Sequence, residues 1–281
     1  MTEARIVAQE LGFAEGPVCT RDGRLLVTSL SHGVVYDVAE GGGTVLCTTG
    51  GGPNGMAEGA DGTLYATQNG GIFGTSEEVV ERAEAGIQAV EGGSARYLAR
   101  GLDAPNDCAF GPDGRLYFTD PRGAANPSNR RPGRVYAMSI GGEPELLAEG
   151  PAFTNGLAFD ADASTLYVAE TFGRRVLAYP YRDGALGEPR EFCRTEGGFP
   201  DGMCFDTEGR LLVAATLAKE VHVFDRGGAC VERLACGEES MPTNCCFGGA
   251  DGRTVFVTDS RGERVLAFDW PAAGLPLFPF R

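Results

Sequence analysis

One phrase recurs six times along the chain and limits what the chain can fold into: a polar residue, a short apolar run, an acidic turn, then a second apolar run. The copies open at Glu15, Asn54, Asn106, Asn155, Asp201 and Asn244, with successive spacings of 39, 52, 49, 46 and 43 residues. A period of ~40–50 residues built from short strands is that of a four-stranded propeller blade. Register within the copies is tighter than the spacing. The acidic turn residue falls seven places after the opening residue every time, at Asp22, Asp61, Asp113, Asp162, Glu208 and Asp251. Seven residues hold one strand ending in a hairpin, and Asp-Gly is a preferred hairpin dipeptide.

Third strands follow as GVVYDV, RVYAMSI, RVLAYPY, EVHVFD and RVLAFDW, and weaker fourth strands as TVLC, ARYLA, PELLA, REFC and CVERLAC. Their β-branched and aromatic alternation fits half-buried strands. The opening ARIVAQE has no hairpin of its own, so it is expected to supply the outer strand of the last blade and close the ring. The expected architecture is all-β: one domain over residues 1–281, a six-bladed propeller with four antiparallel strands per blade. The longest interval includes SEEVVERAEAG, where Ser76 could cap a short helix. The 71–97 stretch there is an insertion that reads either as a lid or as an ordinary surface loop.

Composition narrows the function. A formal charge of −15 repels phosphate backbones and anionic headgroups, which argues against nucleic acid and membrane partners. No apolar run is long enough to span a bilayer and no leader is evident, so a cytoplasmic protein acting on a small molecule is expected. A single lysine, Lys219, among 24 basic residues fits the bias of a GC-rich bacterial genome. Nine cysteines without CxxC pairing, among them Cys19, Cys108, Cys204, Cys245 and Cys246 in apolar runs, read as reduced core residues. His32 and His222 are the only histidines, too few and too scattered for an imidazole zinc site or a triad.

The innermost strand of every blade lines the central channel, so the six opening residues should form a ring at one rim. A ring that is wholly amide and carboxylate is a hard-oxygen donor set, suited to Ca²⁺, Mg²⁺ or Mn²⁺. The plainer reading is that Asx residues start strands by bonding local backbone, which covers the asparagines better than Glu15. The second strands return to the same rim at Ser29, Gln68, Asp120, Glu170, Ala215 and Asp259. The acids among these could orient ligands or substrate, or could merely cap turns.

With Glu-Gly-Pro at 15–17, Pro-Asn-Asp at 105–107, Thr-Asn-Gly at 154–156, Pro-Asp-Gly at 200–202 and Pro-Thr-Asn-Cys at 242–245, the chain resembles the senescence marker protein/gluconolactonase/luciferin-regenerating enzyme family over essentially its whole length. The resemblance implies a metal-dependent sugar-lactone lactonase. It implies one divalent cation, calcium ahead of magnesium, manganese or zinc, held by Glu15, Asn155 and Asp201. Asp201 would also match the general base, and Asn106 the second asparagine that approaches metal or substrate. From their places at the rim, Asn54 and Asp120 are expected to join Asn106 in meeting the substrate. One departure is Ala104, where the animal gluconolactonases have a substrate-gripping arginine. Arg122, Arg130 and Arg131 either stand in for it or are solvated surface arginines. Other metal-assisted reactions (phosphotriester hydrolysis, isomerisation, decarboxylation or cyclisation) and a non-catalytic calcium-binding propeller are the alternatives. Oligomeric state is not legible.

Overall fold

The computed structural model describes residues 4–73, 82–123, 126, 128 and 131–280. Six antiparallel sheets follow one another around a central channel. Blade 1 comprises Ala14–Cys19, Leu25–Ser29, Val34–Ala39 and Gly42–Thr48, and blade 2 comprises Pro53–Glu58, Leu64–Gln68, Gly86–Glu91 and Ser94–Arg100. Blade 3 is Cys108–Phe110, Leu116–Asp120, Pro132–Met138 and Glu145–Ala152. Blade 4 is Thr154–Phe159, Thr165–Glu170 and Arg175–Arg182, with its outer edge split between Ala185–Leu186 and Arg190–Arg194. Blade 5 is Pro200–Phe205, Leu211–Ala215, Glu220–Phe224 and Cys230–Ala235. Blade 6 is Pro242–Gly248, Thr254–Asp259 and Arg264–Asp269, and its outer strand is Arg5–Ala8, in register Arg5 to Ala267. The six-bladed expectation and the closure of the ring by the N-terminal strand both hold.

The split edge of blade 4 is a departure from four strands per blade. Asp183, at φ 50°, and Gly184 turn the long third strand back on itself before Arg190–Arg194 resumes the pairing. The 71–97 stretch is not wholly an insertion, because blade 2's third strand and the start of its fourth lie within it. The helix expected after Ser76 falls largely outside the described residues. Among those described, no helix is long and apolar enough to cross a membrane.

The core is six slabs, one in each gap between neighbouring blades. Leu26 and Val35 of blade 1 meet Met56 and Ala66 of blade 2, and Tyr117 and Val135 of blade 3 meet Phe159 and Tyr179 of blade 4. The last gap joins the ends of the chain, with Val7, Leu11 and Ala14 against Cys246, Val265 and Ala267. All nine cysteines are free thiols, as expected, although Cys230 is exposed. The hairpin acids act locally: Asp61 accepts from Thr63 N, Asp113 from Arg115 N and Asp251 from Arg253 N. In blades 4 and 5 that job passes to Asp160 and Asp206, two places earlier.

Threonine hydroxyls stitch blade to blade. Thr28 donates to the Asn54 carbonyl and Thr119 to the Asn155 carbonyl, both at 2.7 Å, and Thr243 donates to the Ala14 carbonyl at 2.9 Å across the closure. The inner strands approach so closely that a Cβ on Gly16, which sits at φ 43°, would lie 2.1 Å from the Asn54 carbonyl oxygen. Backbone cannot yield as a flexible side chain can. Gly16→Ala is therefore expected to cost about 3 kcal/mol and to lower the thermal midpoint by on the order of 10 °C. Differential scanning calorimetry would test this, and an unchanged midpoint would refute the close-approach argument.

Candidate active site at the channel rim

All six ring residues are buried, Asn54 the most at 2% exposed and Asp201 the least at 9%. What aims them is a shift in strand register. In blades 1, 2, 4 and 5 the pairing slips within the first residues of the innermost strand, and in blade 6 it slips just before Asn244. Bulges of this kind re-aim a side chain beside a site. Glu15 then bends back to accept from Gly16 N at 3.0 Å. Asn244 Oδ1 accepts from Cys245 N at 2.8 Å. Asn155 Nδ2 donates to the Thr171 hydroxyl at 3.2 Å, and that hydroxyl donates to the Pro200 carbonyl at 2.9 Å, tying Asn155 to the strand that carries Asp201.

Asp107 is a site residue that the seven-place register does not flag. It is buried, its Oδ1 accepts from Cys108 N at 2.9 Å, and its Oδ2 lies 3.5 Å from Asn244 Nδ2. Its own N–H donates to Thr119 Oγ1 at 3.1 Å, as that of Asn244 does to Thr258 Oγ1 at 3.0 Å, so blade 3 presents both Asn106 and Asp107 to the ring. The signal was available in the sequence. The residue after the opening one is Gly16, Gly55, Gly156 and Gly202 in four blades, and a carboxylate in that glycine column stands out.

Burial raises Glu15, Asp107 and Asp201 alike, and neighbouring like charge adds to it at Glu15 and Asp201. Burial, then the like charge of Asp107, pushes Glu15 up to about 8. Burial pushes Asp107 up to about 6. Burial first, then Glu15 and Asp107, holds Asp201 well above the usual carboxylate range. Among the described residues, no lysine or arginine is among the groups that act on any of the three. Nearby, the buried Asn54 Oδ1 has no hydrogen-bond partner, an arrangement that ordinarily costs ~1–3 kcal/mol. Three desolvated carboxylates and an orphaned amide oxygen lack positive charge, and a hard divalent cation would supply it. Among the described residues, no three His, Cys, Asp or Glu side chains are already closed around a metal position, so the donor set that fits a cation is the mixed one, with asparagine oxygens in it.

Asp120 sits differently from the ring. It is 1% exposed, and its oxygens accept from the backbone N–H groups of Asp103, Ala104 and Arg122 at 2.9–3.0 Å. It braces the segment that leads into Asn106, with three acceptor positions given to backbone. Glu170 does the same through Ala152 N, and Asp259 through Met241 N. Of the candidate substitutes for a gripping arginine, Arg122 and Arg131 pair with Asp103, and Arg130 lies outside the described residues. His32 bonds Tyr36 and His222 bonds Glu220, so each imidazole is engaged within its own blade.

The far half of the channel is a cavity of about 290 Å³ lined by Cys19, Cys108, Phe110, Phe159 and Phe205, with Asp107 and Asn244 at its inner end. Residues 274–278 and Phe280 also line it, at the end away from the ring. Leu275 N donates to the Phe205 carbonyl at 2.8 Å, and Phe278 packs on Phe159.

The sequence profile of the SMP-30/gluconolactonase/LRE-like region matches residues 13–261, a span that holds every ring residue. The chain belongs to this family. Within the family it is 26% identical to a gluconolactonase of Zymomonas mobilis, an alignment covering 92% of this chain and 79% of that one. It is 27% identical to the diisopropyl-fluorophosphatase of Loligo vulgaris, covering 95% and 92%. Among solved structures it superposes on a Xanthomonas campestris gluconolactonase with a TM-score of 0.79 at 26% identity, covering 96% of this chain and 90% of that one. Relatives in the family thus include hydrolases of lactones and of a fluorophosphate, and each shares with this chain more than the fold alone.

Proposed function

We propose that the chain is a divalent-metal-dependent lactonase whose cation is held by Glu15, Asn155 and Asp201, calcium ahead of magnesium, manganese or zinc. The observation that carries this reading is the trio of buried carboxylates, two of them raised further by like charge and, among the described residues, none acted on by a basic group, beside an unpaired Asn54 Oδ1. A cation bound there would polarise a lactone carbonyl and make a bound water more acidic. Asp201 would serve as the general base that takes the proton of the attacking water. Asn106 and Asn54 direct their amides at the carbonyl oxygen, where negative charge grows as the ring opens. Asp107 keeps Asn244 oriented through their 3.5 Å contact and adds charge to the cation side of the site. The released alkoxide recovers the proton from Asp201, which returns that carboxylate to its starting state.

The test is turnover of a lactone panel, read with a pH indicator, on chelator-stripped protein before and after addition of Ca²⁺, Mg²⁺, Mn²⁺ or Zn²⁺, alongside calorimetric titration of each metal. No turnover in the stripped protein and recovery with a stoichiometric metal is expected. Undiminished turnover in protein verified to be metal-free would overturn the reading. Metal binding without ring opening would keep the site and move the reaction to another substrate of the same Lewis acid.

A further inference from the structure

The rim above the acidic ring carries a run of phenylalanines. In each of the three blades that supply Glu15, Asn155 and Asp201, the residue two places earlier is a phenylalanine: Phe13, Phe153 and Phe199. The corresponding residues in the other three blades are Gly52, Ala104 and Pro242. The position is fixed by backbone: the carbonyls of Phe13, Phe153 and Phe199 accept from Leu30, Thr171 and Thr216, each at the end of its blade's second strand.

From there the rings form a continuous series. Phe199 meets Phe172 at 6.1 Å between centroids, Phe172 meets Phe153 at 5.0 Å, and Phe153 meets Phe73 at 5.6 Å. Phe73 belongs to the loop after blade 2's second strand, whereas Phe153 immediately precedes blade 4's first strand, so their contact joins segments of non-adjacent blades. Phe153 holds φ 64°, a conformation that a residue with a side chain rarely adopts, and such outliers cluster at functional sites. Phe73, Phe172 and Phe199 are half-buried, keeping part of each ring accessible. Phe172 follows Thr171, the residue that ties Asn155 to the Asp201 strand. A substrate whose reactive carbonyl reaches the ring residues therefore has this aromatic series beside it.

An aldonolactone carries a hydroxyl on nearly every ring carbon, and each one placed against a phenyl face loses water without gaining a partner. Of the arginines around this sector, Arg122 and Arg131 already pair with Asp103, and the Arg174 guanidinium lies over the Phe199 ring at 4.9 Å, engaged on its π face. A hydrocarbon substituent gains from the same contact. We propose that the lactone opened here carries an apolar substituent, seated against the half-buried Phe73, Phe172 and Phe199 that pack around the buried Phe153, in place of a sugar's hydroxyl array. The inference rests on the lactonase reading for the reaction, but the wall itself can be tested by binding alone.

The experiment is calorimetric titration of the calcium-supplemented protein with two lactams that cannot be hydrolysed as lactones are: δ-decalactam, which bears a pentyl chain, and glucono-δ-lactam. The alkyl lactam is expected to bind at least tenfold more tightly, and Phe172→Ala and Phe73→Ala are each expected to remove on the order of tenfold of that preference, about two buried methylenes' worth. Equal or tighter binding of the sugar lactam would overturn the proposal, as would an alkyl preference untouched in both variants. Hydrolysis of δ-decalactone and gluconolactone is followed in parallel. If the alkyl lactam binds as expected but neither lactone opens, the wall stands and the lactonase reading fails.

Discussion

Replacing Asp201 by alanine is expected to abolish calcium binding and to lower lactone turnover by about a thousandfold or more, because one side chain serves both as ligand and as base. Asn106→Ala is the informative contrast. It should keep the cation and lose rate on the order of a hundredfold, since it removes an amide aimed at the growing oxyanion and none of the three proposed ligands. Both variants can be followed by metal titration and by steady-state kinetics, with a melting curve to confirm folding. Appreciable turnover in Asp201→Ala would remove the carboxylate from the mechanism, and loss of the metal in Asn106→Ala would make that residue a ligand.

The second large effect is on stability. Glu15, pushed up to about 8, and Asp107, pushed up to about 6, bind protons more tightly folded than unfolded, as does Asp201. The sign follows from the linkage between proton binding and folding. Below the unfolded carboxylate range both states are protonated, and the folded state keeps its full advantage. As pH rises through 6 and then 8 the buried groups must ionise against burial and one another, and that advantage is lost, at about 1.4 kcal/mol per unit of displacement. Chelator-stripped protein should therefore melt progressively lower between pH 5 and pH 9. Calcium should restore the high-pH midpoint, because a cation favours the ionised carboxylates. Glu15→Gln should flatten the stripped profile. A midpoint that is level across this range in stripped wild-type protein would show that the trio is not desolvated as described.

Much of the architecture was legible because propeller blades repeat and their hairpins are punctuated by acidic turns. Asp22 and its five equivalents located the first two strands of every blade, and the orphan ARIVAQE pointed to the closure that Arg5–Ala8 makes. The split edge of blade 4 was not legible, since a turn at Asp183 and Gly184 looks like any surface loop until its register is known. The acidic ring was legible as a column of polar residues, but roles within it depend on contacts between strands far apart in the chain, such as that between Asp107 and Asn244. Asp107 was missed because blade 3's strand offers two consecutive residues to the channel where the register marks one. At Asp120 the sequence left two readings open, substrate contact or turn cap, and the N–H groups of Asp103, Ala104 and Arg122 that its carboxylate accepts from favour the cap. The phenylalanine column two places before Glu15, Asn155 and Asp201 lay in plain view, and its meaning came from ring contacts that span separate blades.

The pairing of Arg5–Ala8 with Arg264–Asp269 also sets a timetable for synthesis. The Arg5 to Ala267 contact links residues 262 positions apart (267 minus 5), and a ribosome adding 5–20 residues per second needs roughly 10–50 s to bridge that gap. Throughout that time the N-terminal strand has no partner and blade 1 lacks the neighbour that will cover Leu11 and Ala14. A nascent chain of this kind carries an open sheet edge and an uncovered apolar slab until its final blade emerges, which is when its exposure to aggregation ends. Expression yield in the cell should then depend more on the speed of translation through the last blade than on anything at the acidic rim.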